Sequence, residues 1–348
     1  MKITTYYTTK GMLLFFSVML LGFSVARSAS YSGAERTEII QTYKYVNTQD
    51  AVLEGIAKKF PDLASKSRNG KSRFHLSALG AGYQGVLKAL DEITGGKGEE
   101  YMAPQNERLS KNVGKANFSR SYALKKIEQA SELKVSNPED FAVTITAEEV
   151  LSTLLRFNPK YQEEPSQEMH DDWTQLFSTR GEYKAKGLDF SLRFPSSWKP
   201  KTSDGPNTVR EFYSQAGHGS VSCNILVRNV GERPSADEKR QLFTDEGVAQ
   251  LAEQAGLERV IMAKAIKMGN QPAGLFIANA VFETVDVKID MRMTRYFLMI
   301  DDKMVMIDFI ESTPDGLPIH PEAKHQEHQT LFKIIASTFM HAGPFRNY

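Results

Sequence analysis

The chain carries one cysteine, Cys223, so no disulfide can form within it, and stability has to come from ordinary apolar cores. It has no excess of charge either, with 43 Lys and Arg against 42 Asp and Glu. That balance gives no electrostatic argument for nucleic acid or for an anionic membrane surface. After the first thirty residues there is no long apolar stretch, so no further membrane span is expected. No internal repeat or low-complexity tract is visible, and 348 residues suit two domains.

The N-terminus has its own pattern. Lys2 and Lys10 supply a basic start, and Gly11 to Ala26 is an uncharged, mostly apolar run. Ala26-Arg27-Ser28 then places small residues where a signal peptidase reads them. Residues 1–28 are therefore read as a cleaved secretory signal peptide, with an uncleaved anchor as the alternative. The expected location is the periplasm, with the extracellular space second. Without Lys2, Lys10 and Arg27 the count becomes 40 basic against 42 acidic residues, near −2. No cysteine lies near the cleavage region, which excludes lipid attachment there.

Two periodicities follow. Residues 34–177 read as a helical domain. Val52, Ile56 and Phe60 recur at helical spacing, as do Tyr83, Val86, Leu87, Leu90 and Ile93. Thr146-Ala147-Glu148-Glu149 is a capping box, and Asn158-Pro159 ends the helix that it starts. Lys58 to Arg73, short of apolar anchors, is expected to be a solvated helix or an elbow outside the core. From Tyr183 the period becomes two. Leu188, Phe190, Leu192 and Phe194 alternate with polar residues, and Val221, Cys223, Ile225 and Val227 share one strand face. Cys223 is accordingly read as a buried, apolar-like thiol. Ser235 to Glu238 is a second capping box, opening a helix through Leu242, Phe243, Val248, Leu251 and Ala252. Gly269-Asn270 and Asp301-Asp302 mark hairpin turns, and Val287, Ile289, Met291 and Met293 share a strand face. Lys288, Asp290 and Arg292 alternate onto what is expected to be a solvated face. A last helix aligns Leu331, Ile334, Ile335 and Phe339. The fold class is α+β: an all-helical domain, then an antiparallel sheet of about five to seven strands with helices on its faces. The boundary is expected in residues 178–186.

Leu188-Asp189-Phe190-Ser191-Leu192-Arg193-Phe194-Pro195-Ser196-Ser197-Trp198 resembles the opening strand of the PsbP/Mog-type fold, which ends in Pro and Trp. The order of strands, mid-chain helix, long antiparallel strands and closing helix is similar over residues 183–342. The resemblance implies an α/β/α sandwich and a mostly non-catalytic role as an accessory or partner-binding module, often in the bacterial envelope. Its members' binding surfaces differ, so no site residue carries over.

Four patterns carry candidate chemistry. Gly80-Ala81-Gly82-Tyr83-Gln84-Gly85 matches GxGxxG, but Arg73 to Leu79 is a poor preceding strand, so tight helix packing or a helix break is the better account. His320, His325 and His328 are the only histidine cluster. His325 and His328 share a helix face, with Glu322 and Glu327 nearby, a set that could hold zinc, copper or manganese. Gly217-His218-Gly219-Ser220 sets a hydroxyl beside an imidazole, but a strand follows where a nucleophile elbow needs a helix, so a hairpin loop is expected. Glu163-Glu164 and Asp171-Asp172 flank His170 and are read as solvated linker acids.

No catalytic residue and no cofactor is assigned. The main expectation is an exported, non-catalytic envelope protein that binds another envelope protein. One alternative is a hydrolase or other enzyme using an interdomain cleft, with His170 or His218 meeting an acid and a hydroxyl. The other is metal binding by His320, His325 and His328. Oligomeric state is open, and Asn117-Phe118-Ser119 is a glycosylation acceptor only in a eukaryotic secretory route.

Overall fold

The computed structural model describes residues 31–135, 144–283, 288–313 and 322–342. The expected signal peptide, Val287 and His320 lie outside them. The fold class is α+β, and the chain divides into two compact units. One unit takes Arg27–Trp173 together with Pro195–Lys199, and the other includes Thr174–Phe194 and Pro200–Tyr348.

The helical unit is organised around α1 (Gly33–Lys59), which touches five of the helices that follow it. Ser32 and Glu35 start α1 with a reciprocal capping box, the Ser32 amide donating to Glu35 at 2.8 Å and the Glu35 amide to Ser32 Oγ at 3.2 Å. Around it run α2 (Ala64–His75), α3 (Ala78–Thr94), α4 (Gly98–Lys115), α5 (Arg120–Ser131) and α6 (Ala147–Arg156). Short helices α7 (Pro159–Glu163) and α8 (Gln167–His170) complete the unit. Two apolar clusters meet α1 at different heights. Ile39, Tyr43, Tyr45 and Val46 join the cores of α3 and α6, and Val52, Leu53 and Ile56 join that of α5. Between them lies a polar waist, Asn47 to Asp50.

The Gly80 to Gly85 motif is helix packing, inside α3. A Cβ on Gly82 would sit 1.9 Å from the Leu154 carbonyl oxygen, and one on Gly85 2.0 Å from that of Phe157. The glycines let the α3 backbone rest directly on α6 and its C-cap. The expectation for Lys58 to Arg73 needs correction. Most of that segment is α2, packed on α1 and α5 through the buried Ser67 and Gly70. Ser67 Oγ donates to the Leu53 carbonyl at 2.6 Å. Small residues make this contact, so apolar periodicity does not reveal it.

The second unit holds two sheets. Strands β1 (Thr174–Ser178), β2 (Phe190–Pro195) and β10 (Met340–His341) form a three-stranded sheet in the order β1-β2-β10. The larger sheet runs β3-β4-β5-β9-β8-β7-β6, from β3 (Lys199–Lys201), β4 (Thr208–Tyr213), β5 (Val221–Asn229), β6 (Arg259–Met268), β7 (Gln271–Glu283), β8 (Lys288–Ile300) and β9 (Lys303–Thr313). From β4 to β6 every neighbouring pair is antiparallel. Residues Thr174–Phe177, counted from sequence in the helical half, therefore belong to a strand. The opening strand β2 pairs in the small sheet rather than the large one.

Helix α11 (Glu322–Ser337) covers one face of the large sheet. Phe332 stacks on Phe309 at 4.3 Å between ring centroids, and Phe309 is flanked in register by Cys223 and Thr294. Helix α10 (Asp245–Gln254) covers the other face, where Val248 and Ala252 meet Leu226, Phe276, Phe297 and Met306. Sequence spacing gives one helix here, but the structure breaks it into α9 (Ala236–Leu242) and α10. Thr244 is itself an N-cap, accepting from the Gly247 amide at 3.0 Å, so its extended backbone ends the first helix. Strand β8 is covered on both sides, so the face carrying Asp290 and Arg292 is not a solvated one. It continues through the buried Thr294, Tyr296 and Leu298. Arg292 pairs in register with Glu311.

Alanine in place of a helical glycine normally gains about 1 kcal/mol. Gly82→Ala is expected to lose about 1–3 kcal/mol instead, because its Cβ overpacks against backbone that cannot yield. Gly114→Ala in α4, where a Cβ meets nothing within 4 Å, is the control and is expected to stabilise. Urea unfolding of both variants checks the opposite signs.

Candidate functional site

The inward run of β9 is Val305, Ile307, Phe309 and then Glu311, an acid where the pattern calls for an apolar residue. Glu311 is 2 % exposed. Helix α11 brings His325 and His328 over it, one turn apart. His325 Nδ1 donates to Glu311 Oε2, and His328 Nδ1 donates to Glu311 Oε1 at 2.6 Å. Gln329 Nε2 donates to Thr294 Oγ1 at 2.6 Å and to His325 Nε2 at 3.1 Å, which leaves the His325 ring proton on Nδ1. Burial alone would push the Glu311 carboxyl up, but the hydrogen bonds from the two imidazoles outweigh it and hold it below the ordinary range. His328 also stacks near Phe332, with ring centroids 6.0 Å apart.

This cluster contains two of the three histidines singled out from sequence. Each has its Nδ1 on a different oxygen of one carboxylate, so a metal ligated there would have to replace both protons. Among the described residues no group of three or more His, Cys, Asp or Glu is arranged to hold a metal ion. On the opposite face of the sheet, Asp308 takes two hydrogen bonds from Arg295, 2.6 Å from Nε and 2.5 Å from a terminal guanidinium nitrogen. The Arg295 guanidinium also lies over the Phe276 ring at 5.5 Å.

The helical unit carries two clusters of the same kind. Glu168, on α8, is 3 % exposed and accepts from the Ser197 amide at 2.7 Å and from Ser197 Oγ at 2.6 Å. Burial pushes its carboxyl up to about 7 against the lowering effect of these bonds and of the Ser196 amide. The second is the waist of α1. His75 Nε2 donates to Asp50 Oδ2 at 2.8 Å, and Lys71 lies 3.6 Å from the same oxygen. Tyr83 OH donates to Asn47 Oδ1 at 3.1 Å. Burial raises the Asp50 carboxyl despite His75 and Lys71.

The other sequence candidates fall in different units. His170 ends α8 in the helical unit, whereas His218 and Ser220 lie in the loop from β4 to β5 in the sheet unit. In that loop Gln215 and Ala216 have φ of 51° and 58°, and the strand β5 follows, as a hairpin requires. Asp171 accepts from Lys160, Gln167 and Tyr161, which together outweigh burial and hold its carboxyl low. It is a local brace between α7 and α8. Cys223 is fully buried, and burial raises its thiol well above the usual range, so it behaves as an apolar residue. A cavity of about 510 Å³ is lined by Arg36, Ile40, Ile93, Thr94, Lys97, Glu100 and Tyr101, and none of the clusters above contributes to its lining.

Sequence reading missed Glu311, Glu168 and the Asp50–His75 pair. Only Glu311 left a signal, as an acid in phase with the inward residues of its strand.

No family model matches the chain, and no curated protein matches it. A solved structure from Bacteroides thetaiotaomicron VPI-5482 is similar over 44% of this chain and 44% of that one, at 15% identity and a TM-score of 0.27, a level that carries no argument.

A carboxyl whose pKa is raised on folding binds protons more tightly in the folded state. Stability from Glu168 is therefore fullest below the ordinary glutamate range and falls as pH rises towards about 7. The difference in unfolding free energy between wild type and Glu168→Gln is expected to shift against wild type by roughly 3 kcal/mol between pH 4.5 and 7.5. Denaturant titrations at a series of pH values check it, and a pH-independent difference would contradict it.

Proposed function

We propose that this is an exported, non-catalytic protein of the bacterial envelope that acts by binding another protein. The observation that carries this reading is the closure of three buried acids. Both oxygens of Glu311 are taken by His325 and His328, those of Asp308 by Arg295, and those of Glu168 by Ser197. Groups spent in this way hold elements together, whereas a catalytic acid or base must reach a substrate proton. The leader pattern and the resemblance of residues 183–342 to PsbP/Mog-type modules support the same reading. Large apolar side chains at the surface, including Tyr183, Leu176 and Met340, are contact material of the kind that interfaces use.

A second reading rests on one observation, the meeting of Glu311, His325 and His328. A divalent ion such as zinc would bind these three residues only after each imidazole proton moved from Nδ1 to Nε2, which for His325 also breaks the hydrogen bond from Gln329.

The test is chemical cross-linking in intact cells of a bacterium expressing the full chain with a C-terminal tag, followed by purification and native mass spectrometry. The binding reading expects a defined complex with one other exported protein and no metal in the recovered chain. A chain recovered alone contradicts it. Stoichiometric zinc, lost in His325→Ala, moves the function to the second reading.

A further inference from the structure

The large sheet ends in two unlike edges. Strand β3 is three residues long with Pro200 at its centre, whereas β6 runs for ten residues. The register fixes which β6 groups face outward. Met268 and Gln271 close the two-residue Gly269-Asn270 turn as a bonded pair, and the next pair sets Lys267 against Pro272, which has no N–H. Alternation then leaves the N–H and C=O of Ala263, Ala265 and Lys267 pointing away from β7. One bond demonstrates this directly, as the Ala265 amide donates to Asp245 Oδ1 at 2.7 Å. A carboxylate from the first residue of α10 thus holds a position that a neighbouring strand's carbonyl would take.

Beyond the bulge at Ile261, Met262 to Met268 pair with β7 without interruption. The charged residues of the strand, Arg259, Lys264 and Lys267, are all basic and all exposed, and Ile261 is exposed beside them. An antiparallel pair of two such edges in a register that sets Lys264, or Lys267, opposite its own counterpart places like charges across the strand pair, which is unfavourable.

We infer that β6 is a docking edge for an extended, acidic segment of another protein, which adds as an eighth strand and displaces Asp245 from the Ala265 amide. This deepens the protein-binding reading and rests on it. Main-chain hydrogen bonds supply affinity in this mode, and the lysines supply the charge preference. Asp245 acts as an intramolecular competitor, and it also protects an edge that would otherwise invite aggregation.

The experiment uses the full chain and a fluorescein-labelled peptide of five Glu-Val repeats, with a Lys-Val counterpart and a Glu-Val peptide N-methylated at alternate residues as controls. Fluorescence anisotropy is expected to show saturable binding of the acidic peptide only, with N-methylation or the Lys264→Glu, Lys267→Glu double variant weakening it at least about tenfold. Asp245→Ala is expected to tighten it. Amide exchange at Ala263 and Lys267 should slow on binding, and unchanged thermal unfolding shows that the double variant still folds. Equal binding of acidic and basic peptides, no binding, or a β6-linked dimer of the chain overturns the proposal. A partner captured from cells that binds the double variant as tightly as wild type removes β6 while leaving the protein-binding reading intact. The absence of any captured partner removes that reading itself.

Discussion

The carboxylate of Glu311 sits at the end of an apolar run, under a helix, away from water. A charge in that position is tolerated only with donors on both oxygens. That requirement sets the phase of α11, because His325 and His328 must face the sheet together one turn apart. With them placed, Phe332 falls one turn further along, stacked on Phe309, and Leu331 and Ile335 complete the buried stripe. The same condition recurs where Asp308 meets Arg295 and where Glu168 meets Ser197. Each of these links two different segments of the chain.

Strands β5, β8 and β9, both hairpin turns and the two capping boxes followed from alternation and turn chemistry, because each depends on neighbours in sequence. The pairing of β2 with β1 and β10 did not, because a half-buried strand carries no label for the sheet that it joins. Helix α2 escaped because Ser67 and Gly70 pack by being small. The break between α9 and α10 was a conflict of signals. Leu242, Phe243 and Val248 keep a helical rhythm across it, but Thr244 caps the second helix. In the candidate site the histidines were visible as a spacing. Their shared partner lies on another element, fourteen and seventeen residues earlier, and only the fold brings it to them.

The functional reading follows from where polarity is spent. Inside the protein, Glu311, Asp308 and Glu168 have donors on both carboxylate oxygens. At the surface, main-chain groups of β6 point away from β7, with basic side chains beside them and Asp245 accepting from the Ala265 amide. The proposed recognition of a polypeptide rests on these two features together.

The central claim is that Glu311 and its histidines form a protein cross-link. A double-mutant cycle between Glu311→Gln and His328→Gln, followed by denaturant unfolding with and without a chelator, tests it most directly. The account expects a coupling of about 1.5–3 kcal/mol, as for hydrogen bonds to a buried charge, and the same value in both conditions. A coupling that appears only when a divalent metal is present would contradict it.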